Sequence, residues 1–218
     1  MWVVVPLKRV SAAKSRLAPI LSEAERESFS QAMLNDVLHA LKHSRRVSGI
    51  VVISHEIRAR YAVERVGGLF TKETASGISN AMAQAGAWLA KHGQRGMLMI
   101  PSDVPLVTSR EIDNLIDSHQ GGPAVSIVPD RENQGTNGLA VSPVNAIPFA
   151  FGPGSFGAHK NIAVEAGIEP RIVELSGLAL DIAHPMDLTT LLRYDNETES
   201  LAYLDDSGIA DRVLHRHN

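Results

Sequence analysis

The first cations of the chain are concentrated in one short segment that follows an apolar run. Lys8, Arg9, Lys14 and Arg16 lie in this segment, and no acidic residue precedes Glu23. Lysine ammonium groups and arginine guanidinium groups bind phosphate oxygens, and a guanidinium can do so with two parallel hydrogen bonds. The segment therefore predicts a phosphate site contacted by Lys8, Lys14 and Arg16. A solvated basic loop is the alternative, since exposed cations are common.

Two aspartates are each placed at the end of an apolar run that is typical of a strand. Asp103 follows "MLMIPS", and Asp181 lies in "LALDI". Carboxylate oxygens are the ligands that Mg²⁺ prefers, and open α/β sheets bind ligands at the carboxyl ends of their strands. We therefore expect Asp103 and Asp181 to share one or two metal ions, with His184 as a further candidate ligand. A surface or capping role is the alternative for His184. A turn or N-cap role for Asp103 is the alternative.

A glycine-flanked pair of polar residues lies between two predicted strands. The segment reads Gly135-Thr136-Asn137-Gly138. Glycine lets a backbone approach a ligand closely, and the two polar side chains supply hydrogen-bond donors without charge. An ordinary hairpin turn, which Asn-Gly also signals, explains much of this pattern.

A second glycine-rich segment precedes a predicted helix. It reads Gly152-Pro153-Gly154-Ser155, and His159 and Lys160 lie one turn further on. Backbone N–H groups at a helix N-terminus, together with a serine hydroxyl, form an anion site. A serine N-cap is the simpler interpretation, and the two are compatible.

Strands alternate with helices along the chain and must position these residues. Strands are predicted over 2–5, 48–54, 69–72, 96–101, 123–129, 138–143, 171–175 and 178–182. Helices are predicted over 23–43, 57–66, 78–91, 109–118, 155–166 and 185–192. The first helix begins with a capping box of Ser22 and Glu25. The alternation predicts an α/β fold with a mostly parallel sheet and helices on both faces. We expect one domain over 1–193 and a polar C-terminal tail over 194–218, which either frays or packs on the surface or on a partner.

The composition narrows the classes of function. The 218 residues contain no cysteine, which excludes disulfides and thiolate chemistry, and the net charge of −3 argues against a nucleic-acid partner. We find no signal peptide and no apolar run long enough to span a membrane, so a cytoplasmic protein without a membrane partner is expected. Neither a Walker A motif nor a GxSxG motif occurs. Cations, carboxylates and glycine-rich anion sites together favour phosphoryl or nucleotidyl transfer.

Five segments that carry these residues resemble one family, the CofC guanylyltransferases of coenzyme F-420 biosynthesis. The segments are "VPLKRVSAAKSRLAPILSEAER", "PSDVPLV", "GTNGLAVSP", "FGPGSFGAHKNIAVEAG" and "LDIAHPMDL". The resemblance extends over 3–192. Its specific part is the combination of "KSRL" near the start with "GTN" and "FGPGSF" later in the chain.

The resemblance implies a nucleotidyltransferase fold, the Rossmann-like three-layer sandwich of the glycosyltransferase A type. It implies that GTP reacts with 2-phospho-L-lactate, phosphoenolpyruvate or 3-phospho-D-glycerate and that pyrophosphate is released. It implies that Thr136, Gly152 and Ser155 bind the phospho-acid, and that Asp103 and Asp181 bind Mg²⁺. Lys14, Arg16 and Asp103 are the expected catalytic residues, and Lys8 is expected to hold GTP.

Ser79 and Asn80, at the start of a predicted helix, are candidates for contacting the guanosine, with N-capping as the alternative. The sequence leaves open which of the three phospho-acids is used. It also leaves open the oligomeric state, with a homodimer as one option.

One departure from the family pattern bears on the metal site. Members of the family usually read D-I-D where this chain reads Asp181-Ile182-Ala183. One expected metal ligand is therefore absent, and the number of ions is left open.

Three alternatives follow from these residues. A degenerate nucleotide-binding module that lacks catalysis is suggested by Ala183. A nucleotidyltransferase for another phosphorylated acceptor is a second alternative, but such enzymes usually carry a glycine-rich GxGxR loop after the first strand, which this chain lacks. A glycosyltransferase shares the fold, but its usual DxD motif is missing around Asp103.

Overall fold

The fold is an α/β sandwich in which one mixed sheet separates two layers of helices. The computed structural model describes residues 1–7 and 14–215. The strands of this part are β1 (Trp2–Leu7), β2 (Gly49–Ser54), β3 (Leu69–Lys72), β4 (Met97–Met99), β5 (Ala124–Pro129), β6 (Thr136–Ser142) and β7 (Arg171–Ile172). The helices are α1 (Glu23–His43), α2 (Ala59–Arg65), α3 (Ile78–Lys91), α4 (Ser109–Ser118), α5 (Ser155–Glu165), α6 (Ser176–Ala179), α7 (Pro185–Leu191), α8 (Glu199–Asp206) and α9 (Ile209–His215). A 3-10 turn spans Ser15–Leu17.

The sheet is mostly parallel, as the sequence predicts. Its strand order is β3-β2-β1-β4-β6-β5-β7. Strands β1, β2, β3 and β4 run parallel, whereas β6 is antiparallel to both β4 and β5. Because β6 is reversed, its first residue, Thr136, lies at the same edge of the sheet as the last residues of β1 and β4.

Alternating residues of the strands bury their side chains on opposite faces of the sheet. Val3 and Val5 belong to a core formed with α1, α2 and α4, whereas Val4 belongs to a core formed with α3 and α5. This alternation is the two-residue period of a strand that is covered on both sides. It produces the three layers of the predicted sandwich.

The helix starts follow the local sequence signals. In the predicted capping box, the Glu25 backbone N–H donates to Ser22 Oγ at 3.3 Å and the Ser22 N–H donates to Glu25 Oε2 at 2.8 Å. The box satisfies two N–H groups that have no partner within the helix. Helix α1 therefore begins where the sequence predicts.

The predicted late strand over 178–182 is wrong. In its place the structure has α6 followed by an irregular segment, which makes isolated backbone hydrogen bonds. Arg131 N donates to Ala179 O at 3.2 Å, and Ile182 N donates to Asp103 O at 2.9 Å. Leu180 and Ile182 are buried. The alternation of apolar residues in this segment therefore reflects burial of their side chains and not pairing with a strand. Asp181 therefore does not end a strand.

The C-terminal segment packs on the domain as two helices. Asp36 of α1 accepts from the N–H groups of Glu199 and Ser200, at 2.7 and 3.0 Å, and so caps α8. A third core, which we term the C-terminal cluster, joins α8 and α9 to the rest of the fold. It consists of Leu17, Leu21, Phe29, Met33, Leu106, Leu180, Ile182, Leu188, Leu191, Leu204, Ile209 and Val213. None of the described helices is both long and apolar enough to cross a bilayer.

Candidate active site

A cleft of about 610 Å³ opens at the edge of the sheet where β1 and β4 end and β6 begins. Its walls bring together most of the residues singled out in the sequence. They are Lys14, Arg16, Asp103, Thr136, Asn137, Gly152, Gly154 and Asp181. Segments that are far apart in the chain therefore form one site, as expected for the open edge of an α/β sheet.

Lys14 is the cation at the centre of this cleft. Its ammonium group lies 2.5 Å from Asp103 Oδ2 and also donates to the carbonyl oxygen of Ile182. The Lys14 side chain is only 8% exposed. Its backbone is left-handed, with φ of 57°, which costs free energy for a residue other than glycine. The fold therefore holds a strained, buried lysine against a carboxylate.

Asp181 is the second carboxylate of the cleft. Burial raises the pKa of the Asp181 carboxyl and the nearby Asp103 carboxylate raises it further, whereas the Asn137 amide and Lys14 act in the opposite direction. Asn137 Nδ2 donates to Asp181 Oδ1 at 3.0 Å and to Ala179 O at 3.1 Å. The hydrogen bond from Ile182 N to Asp103 O joins the backbones of the two aspartate segments.

The two carboxylates fit a divalent cation. Asp103 and Asp181 supply hard oxygen ligands to one cleft, and their repulsion raises the pKa of Asp181. Within residues 1–7 and 14–215, no cluster of three or more His, Cys, Asp or Glu residues is present. The protein thus offers two carboxylates, and the remaining ligands of a bound ion would come from water and phosphate oxygens. Asp187 does not complete the set, because its Oδ2 accepts from Ala183 N and His184 N.

Arg16 lies at the rim of the cleft. Its Nη1 lies 2.9 Å from His184 Nε2, and both side chains are exposed. A guanidinium group can only donate, so it occupies the lone pair with which that ring nitrogen would bind a metal. His184, the further ligand candidate, therefore contacts the cationic turn.

The segment before β6 is held by an aspartate. Asp130 accepts from the N–H groups of Gln134 and Gly135, at 2.8 and 2.6 Å. A Cβ on Gly135 would lie 2.6 Å from Asp130 Oδ2, so a side chain there would displace the carboxylate that holds the turn. This turn sets the position of Thr136 on the wall of the cleft.

The glycine-rich segment before α5 forms the opposite wall. Gly152 and Gly154 have positive φ angles of 140° and 72°, which glycine adopts without strain. Ser155 begins α5 and is 3% exposed. Phe156 N donates to Gln134 O at 3.1 Å, which ties this segment to the turn before β6.

Four predicted residues are not among the described residues that line the cleft. Ser155 begins α5 but is buried and is absent from the lining of the cleft, and it does not cap the helix, because the N-cap of α5 is Gly154. Lys8 lies outside the described residues. Ser79 and Asn80 line a separate groove between α3 and residues 144–149. Ser79 Oγ accepts from Phe151 N at 2.9 Å, and Asn80 Nδ2 donates to Ser76 O at 2.8 Å. The N-cap of α3 is Gly77, so neither residue caps that helix.

His159, to which the sequence patterns assigned no role, is fully buried beside the cleft. Its ring lies 3.0 Å from Thr136 Oγ1. A signal was present, because His159 is four residues after Ser155 in a helix, and such residues share one face. The support that Asn137 gives to Asp181 depends on a tertiary contact, which carries no local sequence signal. Asp130 acts locally, on the turn that precedes Thr136.

The chain is similar to known proteins of one family. Residues 1–216 match the family model described as "Guanylyl transferase CofC like". A phosphoenolpyruvate guanylyltransferase of Rubrobacter xylanophilus is 32% identical over 88% of this chain and 93% of that protein. A 2-phospho-L-lactate guanylyltransferase of Methanothermobacter thermautotrophicus is 33% identical over 92% of this chain and 88% of that protein.

A solved structure from Desulfovibrio desulfuricans, described as a nucleotide-diphospho-sugar transferase, covers 98% of this chain and 96% of its own. Its TM-score is 0.78 at 12% identity. The structure of a cytidylyltransferase from Leptospira borgpetersenii matches 98% of this chain and 93% of its own chain, with a TM-score of 0.59 at 13% identity. At these identities the two structures show the fold alone, and it is the one predicted. The family match over nearly the whole chain and the relatives above 30% identity show that this chain belongs to the CofC family of guanylyltransferases.

Proposed function

We propose that this protein transfers the guanylyl group of GTP to a phosphorylated three-carbon acid in coenzyme F-420 biosynthesis. The acid is 2-phospho-L-lactate, phosphoenolpyruvate or 3-phospho-D-glycerate. The observation that carries the proposal is that one cleft holds both a cation-carboxylate centre and an uncharged anion cradle. Lys14, Asp103 and Asp181 form the first, and Thr136 with Gly152 belongs to the second.

The chemistry requires two anions to meet. A phosphate oxygen of the acid attacks the α-phosphorus of GTP, the bond from that phosphorus to the bridging oxygen breaks, and pyrophosphate leaves. Enzymes catalyse such transfers chiefly by positioning the reactants and neutralising charge. The contacts of Lys14 and Arg16 place positive charge in the cleft without covalent participation of the protein.

Asp103 and Asp181 are the residues that would hold Mg²⁺, which as a Lewis acid offsets the negative charge of the phosphates. Lys14 supports the charge that develops on pyrophosphate, because its ammonium group lies in the cleft beside Asp103. Thr136 and the backbone around Gly152 hold the acid by hydrogen bonds. Lys8 is proposed to extend the phosphate site.

The experiment that tests the proposal measures pyrophosphate release by the purified protein with Mg²⁺. GTP and ATP are each paired with each of the three acids. Release with GTP and one acid supports the function and names the acceptor. The proposal is contradicted if no pyrophosphate is released with GTP and any of the three acids while circular dichroism shows that the protein is folded. That result favours another acceptor or a non-catalytic nucleotide-binding role.

A further inference from the structure

His159 is buried between the two segments that form the anion cradle. It lies on α5, its side chain is fully buried, and the edge of its ring contacts Phe151. Its Nε2 accepts a hydrogen bond from the backbone N–H of Ala150 at 3.1 Å, and its Nδ1 lies 3.0 Å from Thr136 Oγ1. The ring therefore bridges the glycine-rich segment and the first residue of β6.

These two contacts decide where the ring carries its proton. A backbone N–H group can only donate, so the Nε2 that faces Ala150 must be unprotonated. Burial lowers the pKa of His159 to about 4, so the ring is neutral near pH 7. A neutral imidazole has one N–H, which must then be on Nδ1. That N–H donates to the hydroxyl oxygen of Thr136.

The direction of this hydrogen bond constrains Thr136. Its oxygen accepts from the ring, so its own hydrogen points elsewhere. Thr136 is 7% exposed and lines the cleft, and His159 is the one hydrogen-bonding partner of its side chain within the part of the chain that the structure describes. A nearly buried O–H group without an acceptor is unfavourable. The complement of this hydroxyl is therefore an oxygen with a free lone pair, such as that of an ionised phosphate or carboxylate.

We propose that His159 is a positioning residue that makes Thr136 an obligate hydrogen-bond donor to the anionic group of the phospho-acid. This inference rests on the proposed function and deepens it. Through Ala150, the same ring fixes the distance between Thr136 and the glycine-rich wall. The cradle therefore favours an oxygen that accepts a hydrogen bond, most strongly an ionised one, and disfavours a group that can only donate.

The chain offers a matched control in a second buried histidine. His119 is 8% exposed, and its ring lies between Ser126 Oγ at 2.9 Å and Ser142 Oγ at 3.0 Å. Ser142 is the last residue of β6, so this histidine lies at the opposite end of that strand from Thr136, about 20 Å away. Replacing His119 disturbs packing to a similar degree without touching the cleft.

The kinetic test compares the KM for the acid with the KM for GTP. His159→Leu and Thr136→Val should each raise the KM for the acid about 10-fold and leave the KM for GTP unchanged, because each removes a directed donor to a charged oxygen. The double variant should be no worse than Thr136→Val alone, since both changes remove one interaction. His159→Gln retains an acceptor for Ala150 and a donor for Thr136, and should stay within about 3-fold of the parent protein. An unchanged KM for the acid in His159→Leu, or an equal rise in His119→Leu, overturns the proposal.

The position of the ring proton is a test without turnover. Long-range ¹H–¹⁵N spectra distinguish a protonated from an unprotonated ring nitrogen, and His159→Gln identifies the signal by its loss. Nδ1 protonation at neutral pH supports the proposal, and Nε2 protonation overturns it, even if the protein releases no pyrophosphate with any acid. If the protein releases no pyrophosphate with any acid, the proposed function fails on its own. A shift of the Thr136 amide signal on addition of inorganic phosphate then supports the directed donor, and the absence of such a shift overturns it.

Discussion

Lys14 and Asp103 are 89 positions apart in the chain, yet the lysine Nζ lies 2.5 Å from the aspartate Oδ2. The lysine is nearly buried, whereas the Asp103 side chain is 28% exposed and faces the cleft. A cation is thus already bound to the carboxylate that the family resemblance assigns to Mg²⁺. The lysine therefore serves as the counter-ion of this site in the absence of substrate.

Asp103→Asn should abolish turnover and leave the fold intact. The substitution removes one negative ligand, and Lys14 is the one hydrogen-bonding partner of the Asp103 side chain among the described residues, so little packing is lost. We expect pyrophosphate release to fall at least about 100-fold, with an unchanged circular dichroism spectrum. The matched control is Asp206→Asn, which removes an exposed carboxylate from α8. Near-normal turnover in Asp103→Asn would contradict the role given to this residue.

Lys14→Met should have opposite effects on turnover and on metal affinity. Turnover should fall by about 10²- to 10³-fold because the charge on the leaving pyrophosphate loses a partner. Without nucleotide, Mn²⁺ should bind several-fold more tightly, because the lysine no longer competes for Asp103. Electron paramagnetic resonance of free Mn²⁺ measures this affinity directly. Lys91→Met, on the exposed end of α3, is the control. Unaltered metal affinity in Lys14→Met would exclude the counter-ion role.

The stability of the protein should fall as the pH is lowered from about 6.5 to about 4. Burial lowers the pKa of His119 and of His159 to about 4, whereas an unfolded histidine titrates near 6.5. Between these values the two histidines bind protons in the unfolded chain and not in the folded one, so their titration favours unfolding in acid. The raised pKa of the buried Asp36 and Asp181 carboxyls acts in the opposite direction. Each histidine should cost up to about 3 kcal/mol at pH 4 relative to pH 8.

Urea denaturation at several pH values measures this slope, and His119→Gln should flatten it by about half. Carboxyl groups with a lowered pKa act in a different window. The pKa of Glu25 is lowered to about 2 by hydrogen bonds from Arg212 and Ser22, so its stabilising contribution is lost below about pH 4.5. An unchanged stability between pH 8 and pH 5 would contradict the assignment to histidine.

Leu204→Ala should destabilise the protein and weaken the phosphate site. Leu204 of α8 is fully buried in the C-terminal cluster, together with Leu17 of the turn that bears Lys14 and Arg16. A buried leucine replaced by alanine costs about 2–5 kcal/mol through lost burial and a residual cavity. Urea denaturation measures this loss, and the KM for GTP should rise at temperatures where the variant is folded. Leu214→Ala, at a residue that is 51% exposed, should change neither value.

Sequence patterns predicted those elements that carry local start and stop signals. The bounds of α1, α3 and α4 agree with the prediction, and a capping box opens both α1 and α4. The prediction over 178–182 was wrong because alternating apolar residues indicate burial on two sides, which an irregular segment between two cores also provides. Whether such a segment joins a sheet depends on hydrogen bonds to distant strands, and no local pattern encodes these.

In the candidate site, too, local patterns were predictable and contacts between distant segments were not. Residue type and predicted strand ends indicated that Asp103 and Asp181 would meet, and the structure brings them to one cleft, although the strand predicted to end at Asp181 is not formed. The guanosine role of Ser79 and Asn80 was predicted only from their position at the start of a helix. Their actual contacts depend on how α3 packs against the segment before α5, which the sequence does not reveal. Roles toward substrates stay predictions for all of these residues.

Helix α9, near the end of the chain, helps to hold the turn that bears Lys14 and Arg16, near the start of the chain. Arg212 of α9 forms an ion pair with Glu25 in the first turn of α1, and α9 contributes Ile209 and Val213 to the cluster beneath Lys14. Chains are synthesised from the N-terminus, and contacts of such long range form late in folding. The cleft is therefore completed only after α9 has left the ribosome, so that a chain that ends before α9 carries Lys14, Asp103 and Asp181 without the contacts that hold the turn in place.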